Sequence, residues 1–370
     1  MTCDYFGQCG SCTLHELGYE AQLEKKLVEN RALFRPFYTG DFDVVRSQSQ
    51  AFRARAEFRL WHEDDEISYA MNNMTKDGMV LINSCSIVTS PIAKLMPEVI
   101  ALVKEKEIDF KLFHIDFLST THGETVVSLL YHRKLDEAWT VKATQIAKAL
   151  DIHIIGRSRK QKVIIGQDFV TEVLHVDGKS YKFEHIENSF TQPNAKVNEK
   201  MIEWVLEQTK GTQGDLLELY CGAGNFTLPL TQNFKKIVAT EISKSSIKAA
   251  KNNCDLNNID TITFLRMSSE EFVQAFEKQR VFTRLKDISL DEYNLNSIFV
   301  DPPRSGLDET TLQLAQNFDT IIYISCNPLT LKRDLETLVT THTIEKMAVF
   351  DQFAYTNHLE MGVVLRKESR

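Results

Sequence analysis

A cysteine stands at the end of an apolar strand pattern near the carboxyl end of the chain. Residues 321–324 predict a strand buried on both faces, and the turn signal at 325–328 leaves Cys326 at its carboxyl end. Reacting groups of open α/β sheets lie at such ends, where a cysteine can act as a nucleophile if its thiolate is stabilised. Taken alone, a free cysteine is more often a small buried hydrophobic residue.

Two carboxylates occupy comparable positions. Asp301 begins the segment Asp-Pro-Pro-Arg after the apolar residues 298–300, and the two prolines predict a rigid turn that directs the carboxylate into the same cleft. Glu360 ends a segment, 350–360, in which polar residues interrupt an apolar pattern, and it can serve as a general base. An isolated glutamate of this kind is more often a surface residue.

A ligand-binding signature follows the predicted strand at 215–220. Gly222 and Gly224 let the backbone approach a ligand closely, and Glu241, at the end of the next strand, can bind ribose hydroxyls. The third glycine of a dinucleotide site is absent, because Phe226 occupies that part of the turn. S-adenosylmethionine has no pyrophosphate to cradle, so the pattern favours S-adenosylmethionine over NAD.

Three of the seven cysteines, Cys3, Cys9 and Cys12, fall within the first 12 residues. In a reducing compartment such crowding indicates metal or cluster ligation. An iron–sulfur cluster needs a fourth thiolate, for which Cys85 is the candidate because the other cysteines belong to other motifs or to a predicted helix. We therefore predict a [4Fe-4S] site. Zinc would satisfy the same four ligands, and three incidental thiols are the third alternative.

The composition is that of an ordinary globular protein, with 370 residues, 43% hydrophobic and 25% charged. No apolar run of about 18 residues occurs and the first residues do not form a signal peptide, so we expect a cytoplasmic protein without a membrane partner and without structural disulfides. The net charge of −8 argues against a nucleic-acid partner, although a local basic patch can still bind RNA.

The first half of the chain predicts a helix followed by an antiparallel sheet. Residues 14–34 fit an amphipathic helix, and 42–87 approach strict alternation. By that alternation Arg53, Arg55 and Arg59 share one strand face, which either contacts a phosphate backbone or is a solvated sheet surface.

The next elements suggest a second candidate for RNA contact. We predict a helix at 91–106, two strands within 113–132, a helix at 135–150 and a strand at 152–155. The basic run 156–162 then follows, which is usually a solvated loop but is here a candidate for binding RNA.

The carboxyl-terminal part alternates helices and strands. After a helix at 195–209, strands are predicted at 215–220, 236–241, 262–265, 297–300 and 321–324. This alternation predicts an α/β fold with a parallel sheet covered by helices on both faces. We divide the chain into a cysteine-rich segment at 1–13, a helix and central α+β RNA-binding domain at 14–185, and a Rossmann-like methyltransferase domain at 186–370.

Five motifs together resemble one family, the S-adenosylmethionine-dependent RNA uridine-5-methyltransferases. The motifs lie at 188–194, 218–226, 301–307, 324–328 and 351–360, and the likeness extends over nearly the whole chain. Two central segments, 56–62 and 127–134, are most similar to the members of this family that form 5-methyluridine in the T-loop of tRNA.

The resemblance implies a role for each matching residue. It makes Cys326 the nucleophile and Glu360 the base. Phe113 and His132 match positions that face the RNA. The S-adenosylmethionine ligands would be Gln192, Tyr220, Asn225, Glu241 and Asp301.

The resemblance also implies a mechanism. A Cys326 thiolate adds to carbon-6 of uracil, which converts the ring into an enolate whose carbon-5 can accept the methyl group of S-adenosylmethionine. Glu360 then removes the carbon-5 proton, and elimination of the thiolate restores the ring. The T-loop base is folded inside tRNA, so it must first be extracted into the pocket.

We expect tRNA to be the substrate, with transfer-messenger RNA as a further candidate, and the protein to be a monomer. The nearest alternative is a 23S rRNA methyltransferase of the same mechanism, because the four cysteines resemble the iron–sulfur signature of the rRNA enzymes. A non-catalytic RNA-binding protein or folding chaperone is the alternative from another class. The presence of Cys326, Glu360 and all five donor-binding residues argues against it.

Overall fold

The computed structural model describes residues 3–368. Up to residue 165 its elements are α1 (Tyr19–Phe34), β1 (Asp43–Val45), β2 (Arg55–Glu63), β3 (Glu66–Asn72), β4 (Met79–Ile82), α2 (Ser90–Glu105), β5 (Leu112–Ser119), β6 (Thr125–Tyr131), α3 (Glu137–Leu150), β7 (His153–Ser158) and β8 (Gln161–Ile165). None of the helices within residues 3–368 combines the length and the apolar character needed to cross a membrane.

Seven of these strands form the first sheet, in the order β4-β3-β2-β5-β6-β7-β8. Its neighbouring strands are antiparallel except for the parallel pair β6–β7. Along β2, Phe58 and Leu60 are buried whereas Glu57 and Arg59 are exposed, as strict alternation predicts. The apolar face packs with α2 and α3 into one core, which leaves the polar face for other contacts.

From residue 169 onwards the elements are β9 (Phe169–Val176), β10 (Lys179–Ile186), α4 (Ala195–Thr209), β11 (Asp215–Leu219), α5 (Thr227–Leu230), β12 (Ile237–Thr240), α6 (Lys244–Asn257), β13 (Ile262–Leu265), α7 (Ser269–Phe276), β14 (Leu295–Val300), α8 (Glu309–Ala315), β15 (Thr320–Ser325), α9 (Pro328–Leu338), β16 (His342–Phe350) and β17 (Glu360–Lys367). Two short 3-10 turns, Thr283–Leu285 and Leu290–Glu292, precede β14.

The second sheet has eight strands in the order β1-β16-β17-β15-β14-β11-β12-β13. Its neighbours pair in parallel except around β17, which is antiparallel to both β15 and β16. The five strands predicted between residues 215 and 324 pair in parallel, as expected, and β17 is a further strand that runs against its neighbours. The loop 351–359 between β16 and β17 is too short for the crossover of about a dozen residues that a parallel neighbour requires. Every residue of β15 is buried, as its apolar run predicts.

The first helix and the first strand of the chain pack on the second sheet. Strand β1 pairs with β16, and Leu23, Leu27 and Phe34 of α1 belong to the apolar core of the second sheet. The helix and the first strand are thus part of the carboxyl-terminal unit, although they precede the central sheet in the chain. Alternation identified the elements, but it carries no information about which sheet they join.

A hairpin lies just before the boundary predicted at residue 185. Strands β9 and β10 form a separate two-stranded antiparallel sheet, and their buried side chains pack with α4 and α6. Asn257 of α6 contributes to this packing, since its side-chain oxygen accepts a hydrogen bond from the Lys182 amide at 2.9 Å. Val170 of β9 packs with buried residues of the first sheet, so the hairpin contacts both units.

Candidate active site

Five of the predicted site residues lie at one edge of the second sheet. Tyr220, Glu241, Asp301 and Cys326 each follow directly after β11, β12, β14 and β15. Glu360 is the first residue of β17, which runs in the opposite direction and so begins where its neighbours end. The topology thus places a thiol, a phenol and three carboxyl groups along the carboxyl edge, where open α/β sheets bind their ligands.

Cys326 and Glu360 face each other across the pair β15–β17. Ser325 is paired with Met361 at the last position of this ladder, so the next residues on each side are Cys326 and Glu360. The strand cannot continue, because Pro328 lacks an amide proton, and the Asn327 side chain caps α9 by accepting a hydrogen bond from the Leu329 amide at 3.1 Å. The half-buried thiol is held between a strand end and a helix start.

The electrostatics of this pair favour the protonated forms in the protein alone. Burial, followed by the carboxylates of Glu360 and Asp301, raises the pKa of Cys326 to about 11, whereas the Arg304 guanidinium lowers it. Burial and the neighbouring Asp301 carboxylate also raise the pKa of Glu360 well above its usual value, again opposed by Arg304. The protein alone does not stabilise the thiolate that the sequence-based mechanism requires.

The same edge concentrates buried carboxyl groups. Burial raises the pKa of Asp301 to about 7 and that of Glu218 to about 8. In addition, Gln192 Oε1 and Glu218 Oε2 are buried without a hydrogen-bond partner in the described part of the chain. Acceptors and carboxyl groups of this kind fit a ligand that brings a positive charge and hydrogen-bond donors, as S-adenosylmethionine does.

The glycine turn after β11 leaves room for such a ligand. Gly222 adopts a φ of 55°, and a Cβ atom at this position would meet no other heavy atom within 4 Å, so the space above it is open. Its amide donates to Glu241 Oε2 at 3.1 Å. Asn225 is oriented by two hydrogen bonds with Asn198, and the Tyr220 hydroxyl donates to Ser269 Oγ at 2.9 Å.

Sequence reasoning did not single out Arg304 and His358 as members of this site. Arg304 lowers the pKa of both Cys326 and Glu360, and its guanidinium lies 2.6 Å from His358 Nδ1. The sequence does contain an indication of Arg304's place in the site, because the Asp-Pro-Pro-Arg segment puts this basic residue three positions after Asp301.

Phe113 and His132 lie together on the first sheet. Their rings are stacked with centroids 3.8 Å apart and planes at 8°. They line a cavity of about 890 Å³ whose rim carries Arg133, Arg159 and Lys160. The basic run is therefore not one continuous loop; it turns between β7 and β8 and brings part of its charge to this cavity.

Two other basic residues of the run are neutralised by carboxylates. The Arg157 guanidinium donates to Glu187 Oε1 at 2.6 Å, and Lys162 Nζ donates to Asp168 Oδ2 at 2.7 Å. These two pairs hold the hairpin of β7 and β8 against the segment that leads into the methyltransferase unit, so only the tip of the run is available for an RNA backbone.

Arg53 does not share the face of Arg55 and Arg59, which corrects the prediction. It precedes β2, forms an isolated bridge with Val88, and its Nε donates to the Arg55 carbonyl at 2.8 Å. Burial lowers the pKa of its guanidinium, and the Cys85 and Cys12 thiols are among the groups that oppose this shift. The side chain is thus partly buried beside two of the candidate cysteine ligands.

The four candidate cysteine ligands line one small cavity between the first residues and the first sheet. They are free thiols, and Cys12 is buried with its pKa raised to about 12 by burial and by the other three cysteines. Within the described range no three of the four sulfur atoms lie within 4.8 Å of one another. A tetrahedral zinc site would bring its sulfur atoms to about 3.8 Å, given Zn–S bonds of about 2.3 Å. The four candidate ligands are Cys3, Cys9, Cys12 and Cys85.

The fold and the carboxyl edge define an S-adenosylmethionine-dependent methyltransferase with a Rossmann-like sheet, which confirms the predicted fold class. The crystal structure of the Pyrococcus abyssi tRNA (uracil-54, C5)-methyltransferase in complex with S-adenosyl-L-homocysteine has the same fold, with a TM-score of 0.74. It is 22% identical, and the match covers 96% of this chain and 85% of that one.

The family is given by the sequence comparisons. A family model described as tRNA (Uracil-5-)-methyltransferase matches residues 18–368. The tRNA/tmRNA (uracil-C(5))-methyltransferase of Sulfurimonas denitrificans is 56% identical over 369 residues, covering 100% of both chains, and that of Aliarcobacter butzleri is 53% identical, covering 99% of each. The chain belongs to the tRNA (uracil-5-)-methyltransferase family. The resemblance stated from the motifs is thereby confirmed. Cys3, Cys9 and Cys12 precede the residues that the family model matches.

Proposed function

We propose that this enzyme methylates carbon-5 of the T-loop uridine of tRNA, the nucleotide at position 54, by covalent catalysis from Cys326. The observation that carries the proposal is the apposition of Cys326 and Glu360 at the carboxyl edge. The substrate class is supported by the relatives named for tRNA and transfer-messenger RNA at 50% identity and above. The choice of nucleotide 54 follows the name of the Pyrococcus abyssi enzyme, which specifies uracil-54. A tRNA substrate also favours a cytoplasmic location.

The proposed reaction uses the thiol and the carboxyl group in sequence. Cys326 Sγ, once deprotonated, forms a bond to carbon-6 of the uracil ring, and the electron pair moves to the carbon-5 and oxygen-4 enolate. Bound S-adenosylmethionine supplies the electrophilic methyl group. Glu360 then takes the proton from carbon-5, and the returning electron pair expels Cys326 as a thiolate, which restores the ring. A nucleophile and a base at opposing ladder positions can reach carbon-6 and carbon-5 of one ring.

A positively charged methyl donor bound at this edge would favour the ionised form of the base. A positive charge beside Asp301 and Glu360 would lower their pKa values and favour the carboxylate that acts as a base. Arg304 is the cation of this chain that already opposes the raised pKa values of Cys326 and Glu360. We assign Arg304 to stabilising the thiolate.

We assign donor binding to the residues around the glycine turn. The unpartnered Gln192 Oε1 can accept a hydrogen bond from the donor's ammonium group, and Glu241 lies where a ribose would be bound, at the end of the second strand of the motif. The open space above Gly222 is where the ligand can approach the backbone. Tyr220, Asn225 and Asp301 complete the set, as the resemblance implies.

RNA binding is assigned to the cavity on the first sheet. Stacked rings such as Phe113 and His132 offer a face to an unstacked base, and the basic rim of Arg133, Arg159 and Lys160 suits phosphates. Single-stranded loops are the form in which RNA bases are accessible to such contacts. Arg53 does not line this cavity, so we assign it no RNA contact here.

The substrate test offers methyl-labelled S-adenosylmethionine with four RNAs in parallel. These are an unmodified tRNA transcript, the same transcript with uridine 54 replaced by cytidine, transfer-messenger RNA and a 23S rRNA transcript. We expect label in the first, none in the second and a slower reaction in the third. Label confined to the 23S transcript would overturn the proposed substrate and leave the four cysteines as the better guide.

We further propose that the four cysteines hold a [4Fe-4S] cluster with a structural role. The four thiols share one cavity, and their wide spacing suits a cluster that interposes iron and sulfide atoms better than it suits a single zinc ion. Cys12 also packs in one apolar cluster with Phe52, Ile87, Ala354 and Tyr355, which joins the first sheet to the loop before Glu360. Anaerobically purified protein should then be brown, and changing all four cysteines to serine should remove the visible absorbance. Colourless protein with about one zinc per chain would replace this proposal.

A further inference from the structure

The loop 351–359 leaves the second sheet next to the ladder partner of Glu360. It joins β16 to β17 and ends directly before Glu360. Its first two residues, Asp351 and Gln352, are fully buried. Phe350, the last residue of β16, pairs with Glu360, so the point at which the chain leaves β16 at Asp351 bears on where the carboxylate lies relative to Cys326.

Two side chains of α1 hold this loop. Lys26 Nζ donates to Asp351 Oδ1 at 2.7 Å and to the Phe353 carbonyl at 3.0 Å. Gln22 Nε2 donates to the second oxygen of Asp351 at 3.0 Å, and Gln22 Oε1 accepts a hydrogen bond from the Tyr355 amide at 3.2 Å. Gln22 and Lys26 are four residues apart and so project from one helix face. They fix three alternate residues of the loop.

The contact is unusual for a helix face that packs on an apolar core. Gln22 and Lys26 are 0% and 2% exposed, and they stand beside Leu23 and Leu27. Replacing a buried ion pair by apolar residues often leaves stability unchanged or raises it, so the gain in stability does not explain the pair. The pair instead fixes the path of the loop, because the Lys26 ammonium donates to two acceptors in it, Asp351 Oδ1 and the Phe353 carbonyl.

We propose that Lys26 and Gln22 are positioning residues for the base of the methyl-transfer reaction. They act through Asp351 and the loop 351–359, and they touch neither the uridine nor the methyl donor. The inference rests on the proposed role of Glu360. It makes the amino-terminal helix, which lies outside the catalytic edge, a part of the machinery that removes the carbon-5 proton.

The test compares K26M with K25M. Lys25 is the exposed neighbour, 3.9 Å from Glu29, and its replacement should leave the kinetics unchanged. In K26M we expect kcat to fall about 10- to 100-fold with KM for S-adenosylmethionine within about twofold, because a misplaced base slows proton removal without altering the donor site. Since addition of Cys326 is unaffected, the covalent RNA–protein adduct should accumulate on denaturing gels.

A double-variant cycle separates this role from a general effect on folding. If Lys26 acts through Glu360, K26M should leave the rate and yield of adduct formation by E360Q unchanged, and K26R should recover part of the kcat that K26M loses. If K26M unfolds, Q22A takes its place, because it keeps the ion pair and removes only two hydrogen bonds; the same adduct accumulation is expected.

The outcomes distinguish the two proposals. Wild-type kinetics in K26M would contradict the positioning role. So would a loss of turnover in K26M without accumulation of the adduct, together with reduced adduct formation when K26M is combined with E360Q. Absence of any adduct in E360Q itself would instead contradict the proposed role of Glu360. An adduct in E360Q together with unaltered K26M kinetics would overturn the positioning role alone.

Discussion

Cys326 and Glu360 occupy opposing positions immediately beyond the last paired residues, Ser325 and Met361, of two antiparallel strands. The relationship depends on β17 running against its neighbours, since only then does its first residue meet the carboxyl edge of β15. A nucleophile and a base are thus brought together by strand direction, although they are separated by a helix, a strand and a loop in the chain.

Removing the thiol should abolish methyl transfer and spare RNA binding. In C326A no bond to carbon-6 can form, so carbon-5 remains too weak a nucleophile to accept the methyl group. Filter binding with unmodified tRNA should still give measurable affinity, because the cavity at Phe113 is untouched. C254A, which changes a buried cysteine on α6, is the matched control and should retain activity. Turnover by C326A would exclude covalent catalysis from this residue.

Removing the Arg304 charge should shift the pH dependence of the reaction. Arg304 lowers the pKa values of Cys326 and Glu360, so in R304Q both pKa values rise and a smaller fraction of each group is ionised at a given pH. Both groups react in their ionised forms, so the rising limb of kcat/KM against pH should move to higher pH. R304K retains the charge and should shift the limb less. A profile that stays in place in R304Q would contradict the assigned role of Arg304.

Breaking the ring stack on the first sheet should weaken RNA binding without altering donor binding. In F113A the base-stacking surface is lost, and we expect the affinity for tRNA to fall about 10- to 100-fold, since stacking contributes about 1–3 kcal/mol per base. Affinity for S-adenosylmethionine, measured by calorimetry, should not change. The exposed Phe110, which does not line this cavity, provides a control through F110A. Equal effects of the two substitutions would mean that the stack is not specific for RNA.

The sequence predicted the site residues better than it predicted their partners. Cys326 and Asp301 follow strands whose apolar runs are continuous, so their placement at a sheet edge followed from local pattern. The contact between Lys26 and Asp351 joins residues 325 positions apart, and no local pattern contains it. A lysine beside Leu27 was indistinguishable from a solvated residue at the border of an amphipathic helix.

The sheet that the first strand joins could not be predicted for the same reason. Strand β1 is three residues long, and its pairing with β16 depends on a strand near the other end of the chain. Arg53 was assigned to a strand face because alternation extends back from Arg55, but the strand begins only at Arg55 and Arg53 turns towards Cys85. Patterns define elements, whereas sheet membership is set by long-range pairing.

The most direct test of covalent methylation is the fate of the RNA on the E360Q variant. The variant is incubated with methyl-labelled S-adenosylmethionine and unmodified tRNA. Cys326 should add to carbon-6 of the uracil ring, and carbon-5 of the ring should accept the methyl group. The reaction should then stall, because the carbon-5 proton cannot be removed. The predicted result is a band on a denaturing gel that contains protein, RNA and label, with the linkage mapping to Cys326. Free methylated tRNA without such a band, or a linkage at another cysteine, would contradict the account.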